Sequence, residues 1–182
     1  MSPTRYSLQT IAIVPVGRVD DQSLKILIDR LPEKFRCAAC RIAETSIDVH
    51  AFLNPRSGQY HATRVLNLLE THDEGLKQDR LLGVTDLDLY VPGMNFVFGE
   101  AMLPGRVAVI STHRLRGRTD YGGEELFPSR VMKEAVHELG HTLGLTHCGE
   151  PSCVMYFSNS LGDTDRKGED YCEACLRRLG RE

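Results

Sequence analysis

The segment HELGHTLGLTH, residues 137–147, constrains this chain more than any other part of its sequence. On a helix, His137 and His141 lie about one turn apart on the same face, so both imidazoles can reach one metal ion. On a continuous helix, His147 would lie about 15 Å along the axis from His137. Gly144 resolves this difficulty, because a glycine just past the last turn can adopt the left-handed conformation that ends a helix. The segment therefore predicts a helix that stops near Gly144 and a chain that returns His147 to the same metal.

This arrangement predicts a hydrolytic zinc site. Three neutral imidazoles leave the fourth position of a tetrahedral zinc ion open to water, as in catalytic zinc centres. Zinc lowers the pKa of such a water to about 7, and Glu138 is placed to accept its proton as general base. The alternative is an ordinary helix with two exposed histidines. The glycine and the third histidine at the required spacing favour the metal site and the hydrolysis of an amide bond.

Four cysteines after the histidines predict a second metal site. They are Cys148, Cys153, Cys172 and Cys175. Four thiolates form a closed tetrahedral zinc site with no position for water, so this site would be structural and would join the loop after Gly144 to a final helix. The alternatives are unrelated buried cysteines or disulfides, and disulfides are disfavoured in a reducing compartment.

Composition bounds the class of protein. The chain has 182 residues, of which 41% are hydrophobic, enough for a single domain. The net charge of -3 gives no broad cationic field, and basic residues near the last cysteines alternate with acidic ones, so we expect no nucleic acid and no membrane partner. The apolar run 11–16 is too short for a signal peptide and is interrupted by Pro15. We expect a cytoplasmic monomer that acts on a peptide or protein.

Hydrophobic patterning predicts an α/β (α+β) domain. Strands and helices alternate through the first two-thirds, and a long helix carries the histidines, with Pro128 and Ser129 at its start and Ser129 or a neighbour as its cap. A loop with three glycines precedes that helix at 114–125. The predicted strands are 10–16, 40–52 (strand or hairpin), 81–91, 95–103 and 106–111. The other predicted helices are 20–31, 60–70 and a short final one from 170 to 179.

The same residues carry a resemblance to a known family. HELGHTLGLTHC has the HExxHxxGxxH form of the metzincin zinc peptidases, and the continuation CxxxxCVMYFSNSxxxxDRKxxxYCxxC resembles the archaemetzincins. The upstream segments VTDLDLY and NFVFGEA are also similar to segments of that family. The resemblance implies a compact metzincin fold with a twisted mixed β-sheet, an active-site zinc helix and a small zinc-stapled C-terminal region.

The resemblance also implies a role for each site residue. It implies two zinc ions per chain, a catalytic one on the three histidines and a structural one on the four cysteines, with Glu138 as the base. Met155 corresponds to the Met-turn residue beneath the histidines. We expect one domain over residues 1–182, with an upper region (residues 1–144) and a lower region (residues 145–182). Residues 95–103 are a candidate for the strand that holds an extended substrate, although they could equally be an ordinary core strand.

Two departures from the metzincin pattern affect the site. Some metzincins have a tyrosine two residues after the Met-turn methionine, but here that position is Phe157, and Tyr156 comes one residue too early for that role. Tyr156 and Phe157 are candidates for a wall of the substrate pocket. Tyr171 stands where the family often has phenylalanine, a change expected to preserve packing.

Other interpretations remain open at this point. The chain could be a non-catalytic zinc-binding protein that recognises peptides on a metzincin scaffold, although such a protein would not need Glu138. Cys37 and Cys40 could be a redox pair, half of another metal site or ordinary cysteines. Four further histidines are expected to be surface or hydrogen-bonded residues: His50, His61, His72 and His113.

Overall fold

The central element of the fold is a mixed five-stranded sheet, seen in a computed structural model that describes residues 10–72, 78–117 and 123–180. Its strand order is β2-β1-β5-β8-β7, with every pair parallel except β7, which runs antiparallel to β8 at one edge. These strands are β1 (Thr10–Pro15), β2 (Ala39–Ile42), β5 (Arg80–Thr85), β7 (Gly99–Ala101) and β8 (Val107–Ser111). β1, β5 and β8 are buried apolar runs, as expected for strands covered on both faces.

A second, smaller sheet has the order β3-β4-β6. It contains β3 (Leu53–Asn54), β4 (Gln59–His61) and β6 (Leu89–Tyr90), and a short 3-10 helix, His50–Phe52, precedes it. β6 lies just after β5 and before the segment that leads into β7. The last strand of the small sheet, β6, is therefore close in sequence to the edge strand β7 of the main sheet.

Helices cover both faces of the main sheet. Alternate residues of β1 point to opposite faces, so Ile11 belongs to the core under α1 and α3, while Ala12 belongs to the core under α2. The helices are α1 (Asp21–Phe35), α2 (Ala62–Thr71), α3 (Gly123–Thr142), α4 (Leu161–Arg166) and α5 (Glu173–Arg178). No helix among residues 10–72, 78–117 and 123–180 is long and apolar enough to cross a membrane.

The predicted fold class is confirmed, but some predicted boundaries are wrong. α3 begins at Gly123, so Pro128 lies inside it, and the hydroxyl of Ser129 donates to Glu169 at 2.8 Å rather than capping the helix. Pro128 is the sixth residue of α3 and has no N–H, so the helix lacks one intrahelical hydrogen bond at this position. The predicted loop 114–125 thus includes the first turn of α3, and its residues 118–122 lie outside the described ranges of the chain.

Three predicted strands are shorter than expected, and one helix was not predicted. The predicted strand 81–91 is divided between β5 of the main sheet and β6 of the small sheet. Within 95–103 only Gly99–Ala101 forms strand β7, and within 40–52 only the first residues join β2. α4 is a helix of six residues whose N-cap, Ser160, accepts a hydrogen bond from the amide of Asp163. Six residues are too few to show a helical repeat of apolar positions.

Candidate active site

The end of α3 has the geometry that the sequence predicts. Gly144 has a φ of 94°, its amide donates to the carbonyl of His141 at 2.9 Å, and the amide of Leu145 donates to the carbonyl of Gly140 at 3.1 Å. These two bonds form a Schellman motif, which satisfies the last carbonyls of the helix and reverses the chain. The reversal brings His147 back toward α3.

Three imidazoles converge below this turn, and we call His137, His141 and His147 the histidine cluster. One ring nitrogen from each lies within 4.8 Å of the other two. The Nε2 atoms of His137 and His141 are 3.2 Å apart, and the ring centroid of His147 lies 5.4 Å and 4.9 Å from those of His137 and His141. His137 is buried, His141 half-buried and His147 exposed, so the cluster opens toward solvent on one side.

Backbone carbonyls fix the tautomer of two of these rings. Nδ1 of His137 donates to the carbonyl of Val154 and Nδ1 of His141 to that of Leu145, each at 2.7 Å. A carbonyl only accepts, so each Nδ1 carries the proton and each Nε2 presents a lone pair to the centre of the cluster. Two lone pairs 3.2 Å apart repel each other unless a cation lies between them. The donor set therefore fits a metal ion of the kind that histidine binds.

Burial keeps the imidazoles neutral. It lowers the pKa of His137 well below its ordinary value, and the positive charge of Lys167 and the neighbouring His141 lower it further. Burial also lowers the pKa of both His141 and His147. Neutral imidazole is the form that binds a metal, so no proton has to be removed near neutral pH.

Glu138 is buried beside the histidine cluster and lies against the edge strand. Burial raises the pKa of its carboxyl well above the ordinary value, and Glu134 and Glu100 raise it further, while Lys167 opposes them. The strand approaches closely because residue 99 is glycine. A Cβ at Gly99 would lie 2.6 Å from Cγ of Glu138 and 2.7 Å from the carbonyl oxygen of Val109. The sequence motif did not indicate this contact.

A cavity of about 610 Å³ opens above the histidine cluster. Its walls are the segment leading into β7, the active-site helix α3 and residues 157–159. The ring of Phe157 lies 4.7 Å from that of His147, centroid to centroid, so an aromatic face, with no hydroxyl, borders the cluster at this position. Phe157 thus lines the cavity as expected, whereas Tyr156 is not among its lining residues.

The four cysteines form a second group, which we call the cysteine cluster: Cys148, Cys153, Cys172 and Cys175. Their sulfur atoms lie within 4.8 Å of one another, with 3.7 Å between Cys148 and Cys172 and 3.8 Å between Cys153 and Cys175. A disulfide needs about 2.05 Å, so these are free thiols gathered around a common centre. Hydrogen bonding from the amide of Cys175 lowers the pKa of Cys172 to about 7, the direction that favours a thiolate ligand.

One loop joins the two clusters. The amide of Cys148 donates to the carbonyl of Met155 at 2.9 Å, and the neighbouring carbonyl of Val154 accepts from His137. Met155 is fully buried, and its sulfur lies against Gly140 of the active-site helix. The expected place of Met155 beneath the histidines stays a prediction. The buried hydroxyl of Tyr171 donates to the carbonyl of Val136 at 2.8 Å, so this tyrosine adds a hydrogen bond to the packing expected of it.

Charged residues that the sequence reasoning missed also line the cavity: Glu100, Glu134 and Lys167. Glu100 is half-buried and accepts from the hydroxyl of Thr63 at 2.9 Å. Glu134 and Lys167 are buried, with 3.1 Å between the Lys167 ammonium and a Glu134 oxygen. Of these three residues, only Glu134 could have been found from the sequence, because it lies one helical turn before both His137 and Glu138 and so on the same face of α3.

The remaining predicted candidates lie outside both clusters. Cys37 and Cys40 are half-buried thiols, and burial, followed by the neighbouring Cys37, raises the pKa of Cys40 to about 12. A thiol with a raised pKa is a poor nucleophile and a poor redox centre. Of the four other histidines, none belongs to a metal-binding group within the described residues. His61, half-buried, packs its ring on Tyr90 at 5.2 Å between centroids.

Comparison with known proteins identifies the family. The sequence profile described as Peptidase family M54 matches residues 21–181. The chain belongs to peptidase family M54. This family membership makes the chain a zinc metallopeptidase of the archaemetzincin type, as the motif resemblance implied.

Relatives at the level of sequence and structure agree with this. The archaemetzincin of Methanocaldococcus jannaschii is 43% identical over 94% of this chain and 93% of the relative. A crystal structure of archaemetzincin from Archaeoglobus fulgidus is 40% identical, with a TM-score of 0.81 over 93% of this chain and 99% of that one. A zinc-dependent peptidase from Methanocorpusculum labreanum, 29% identical, has a TM-score of 0.79 over 93% of this chain and 99% of that one. These structural similarities show that the chain has a metzincin-like fold.

Proposed function

We propose that the chain hydrolyses peptide bonds at the histidine cluster, with Glu138 as general base. The observation that carries this proposal is the convergence of three imidazole nitrogens within 4.8 Å, beside a buried carboxylate and at the floor of a cavity. The M54 family and the zinc-dependent relative from Methanocorpusculum labreanum support zinc as the metal. Peptides or proteins are the substrate class.

Different residues of the chain have different roles in the proposed reaction. Zinc, when held by the histidine cluster, polarises the substrate carbonyl and makes the attacking water more acidic. Glu138 takes the proton of that water and returns it to the leaving amine. Phe157 and the apolar wall before β7 exclude bulk water from one side of the reacting bond.

We propose that β7 holds the substrate in an extended conformation. Within the described residues of the main sheet, β7 pairs on one side only, with β8, and it borders the cavity. A peptide that adds to this edge by backbone hydrogen bonds would pass over Glu138 and the histidine cluster. The contact between Gly99 and Glu138 supports this path.

The cysteine cluster is proposed to hold a second, structural zinc, which gives two zinc ions per chain. Four sulfur ligands close the coordination shell, so this metal has no position for substrate. We propose one domain over residues 1–182, with an upper region (residues 1–144) and a lower region (residues 145–182). Buried residues of both regions, such as Val136 and Val154, belong to the same apolar core, which supports a single domain.

We further propose a cytoplasmic monomer that does not use nucleic acid or a membrane as partner. Thiolate ligands must stay reduced to bind zinc, which supports a reducing compartment. The formal net charge of -3 supports the absence of a nucleic-acid partner. A gel-shift titration over salt concentration and an equilibrium sedimentation run test these two statements, and either tight nucleic-acid binding or a stable dimer would contradict them.

The deciding experiment is cleavage of a diverse peptide library, read by mass spectrometry, with three zinc-loaded proteins. Wild type is expected to cleave, and Glu138→Ala is expected to lose about 10²- to 10⁴-fold in rate, the usual contribution of a general base, while keeping its zinc. The matched control is Glu125→Ala, an exposed glutamate in the first turns of the same helix, which should keep full activity.

The rival function, peptide binding without cleavage, predicts a different result. Peptides from the library would then bind wild type without being cut, and Glu138→Ala would bind them equally well. Full activity in Glu138→Ala, on the other hand, would leave peptide hydrolysis intact and remove Glu138 from the mechanism.

A further inference from the structure

Lys167 occupies an unusual position in the cavity wall. Its side chain is fully buried, and it directly follows α4, which packs against the active-site helix α3. Its ammonium lies 3.1 Å from Oε1 of Glu134. That contact is an ion pair without hydrogen-bond geometry, so the Lys167 ammonium has no hydrogen-bond acceptor among the residues that the structure describes. An ammonium has three N–H donors, and burying it without acceptors is costly.

The neighbouring buried cations on α3 are satisfied, in contrast to Lys167. The ammonium of Lys133 donates to the carbonyls of Thr164 and Asp165 at 3.0 and 3.2 Å. The guanidinium of Arg130 holds the Asp165 carboxylate with two bonds, at 2.6 and 2.8 Å. These contacts explain how the segment is fixed to α3. Of these three buried cations, only the ammonium of Lys167 has no hydrogen-bond acceptor among the described residues.

Lys133, whose ammonium has hydrogen-bond acceptors, and Lys167, whose ammonium has none, also differ in their position relative to the cavity. Lys167 lines the cavity above the histidine cluster, and Lys133 does not. Among the described residues that line the cavity, Lys167 is the one lysine or arginine, beside the carboxyl groups of Glu100, Glu134 and Glu138. Glu134 neutralises some of its charge but, without hydrogen-bond geometry, uses none of its donors. The ammonium itself has almost no exposed surface, so an anionic group at that wall would reach its unused N–H donors by a shift of the Lys167 side chain toward the cavity.

We propose that Lys167 determines specificity by binding a carboxylate of the substrate close to the scissile bond. This inference rests on the proposed peptidase function and names its substrate class. The carboxylate belongs either to an acidic side chain or to the C-terminus of a peptide, since both offer the same acceptor to an ammonium. The bond between the Lys167 ammonium and this carboxylate is charge-assisted and shielded from water, so it discriminates strongly against a neutral amide.

The test measures binding separately from cleavage. Fluorescently labelled hexapeptides carry one glutamate at each position in turn, with glutamine at the same position as the neutral partner, and each is made with a free acid or an amide at the C-terminus. Their binding is measured by anisotropy to zinc-loaded Glu138→Gln protein, so that no peptide is consumed. One charged peptide is expected to bind about tenfold or more tightly than its neutral partner. The position of that preference distinguishes a side-chain carboxylate from the C-terminal one.

Lys167→Met in the same background is expected to bind the charged and neutral partners equally. Because this change leaves Glu134 buried without its cation, the double variant Lys167→Met, Glu134→Gln is measured as well, and its buried pair is neutral. Lys133→Met is the matched control, a buried lysine that does not line the cavity, and it should keep the preference. A purely structural Lys167 would change stability without changing the ratio between charged and neutral peptides.

The outcomes separate this inference from the proposed function. Equal binding of charged and neutral peptides by the protein with Lys167 intact, or an unchanged preference in both Lys167→Met proteins, overturns the inference and leaves peptide hydrolysis standing. A preference that depends on Lys167 in a protein that cleaves no peptide supports the inference and overturns the hydrolytic function. Failure of every peptide to bind overturns the inference, and the cleavage of the peptide library by wild type decides the hydrolytic function separately.

Discussion

At the scale of single residues, hydrogen bonds to backbone carbonyls orient two of the three imidazoles of the histidine cluster. His137 is fixed by the carbonyl of Val154 and His141 by that of Leu145, so both rings are oriented before a metal arrives. Such outer contacts set the tautomer and the direction of a metal-binding histidine. The histidine cluster is therefore preorganised by the loop that follows Gly144.

The close approach of β7 to Glu138 requires a glycine at position 99. In Gly99→Ala the new methyl group would meet both Glu138 and the carbonyl of Val109, and the latter cannot move without shifting β8. We expect Glu138 to be displaced by some tenths of an ångström or more, with a loss of about 10²-fold in kcat/KM and unchanged zinc content. Peptide cleavage and metal analysis measure the two effects.

The control for this variant is Gly162→Ala, because a Cβ at that position meets one hydroxyl oxygen at an ordinary 3.7 Å. It should keep full activity. Full activity in Gly99→Ala as well would show that the distance between β7 and Glu138 does not matter for catalysis.

Some residues of the site could be predicted from the sequence, and others could not because their burial depends on residues that are distant in sequence. Histidines, cysteines and Glu138 stand in fixed local spacings, and these spacings are visible in the sequence wherever the residues lie in the fold. Lys167 stands in a run of mixed charges, next to Arg166, and such a run ordinarily lies on the surface. Its burial depends on α3, which is distant in sequence, so no local pattern could show that Lys167 faces the cavity.

At the scale of elements, the end of α3 decides whether the third histidine reaches the other two. The Schellman motif needs a left-handed residue at position 144, and the φ of 94° there is available to glycine at little cost. Sequence spacing alone was enough to predict this end. The start of the same helix was predicted wrongly, because Pro128 and Ser129 have the composition of a helix start and yet lie within it.

Gly144→Ala tests this element directly. A Cβ at position 144 would meet only Pro104, at 4.0 Å, so the cost is backbone strain rather than a clash. We expect a loss of about 1–2 kcal/mol in the free energy of unfolding, and weaker zinc binding by the histidine cluster because His147 is displaced. Urea unfolding and a zinc competition assay provide the two measurements.

Gly149→Ala is the matched control for that strain. Gly149 lies in the same loop, has no positive φ, and a Cβ there meets nothing within 4 Å. It should change neither stability nor zinc affinity by a measurable amount. Equal losses in both variants would show that the loop, and not the helix end, is the sensitive element.

At the scale of the whole molecule, the lower region is attached by polar contacts and by the cysteine cluster as well as by apolar packing. Arg30 and Ser129 both bond to Glu169, at 2.7 and 2.8 Å, and Arg130 holds Asp165. α4 and α5 have six residues each, too short to be stable alone. The overall fold class was predictable from alternating strands and helices, but this attachment was not, since it joins residues that are 35 to 139 positions apart.

Cys172→Ser tests the attachment. Losing one of four thiolates should lower the zinc content by one equivalent while the histidine cluster still binds its own. The free energy of unfolding should fall by several kcal/mol, since structural zinc contributes about 10–16 kcal/mol in small zinc-binding peptides. Metal analysis and thermal unfolding measure both effects.

The control is Cys40→Ser, a half-buried thiol outside both clusters, which should leave the zinc content unchanged. Cys172→Ser protein that retains two zinc ions would remove the cysteine cluster as a metal site. Unchanged stability after the loss of one zinc would show that the polar contacts are sufficient to hold the lower region.

His147 and Cys148 are consecutive residues that belong to different clusters, so we expect metal binding at the two clusters to be coupled. Ordering one residue restricts the backbone of the next, so a metal on either cluster reduces the entropy that the other must still lose. Thermodynamic linkage requires the effect to be equal in both directions. A metal on the cysteine cluster is therefore expected to strengthen metal binding at the histidine cluster, and a metal on the histidine cluster to strengthen binding at the cysteine cluster by the same factor.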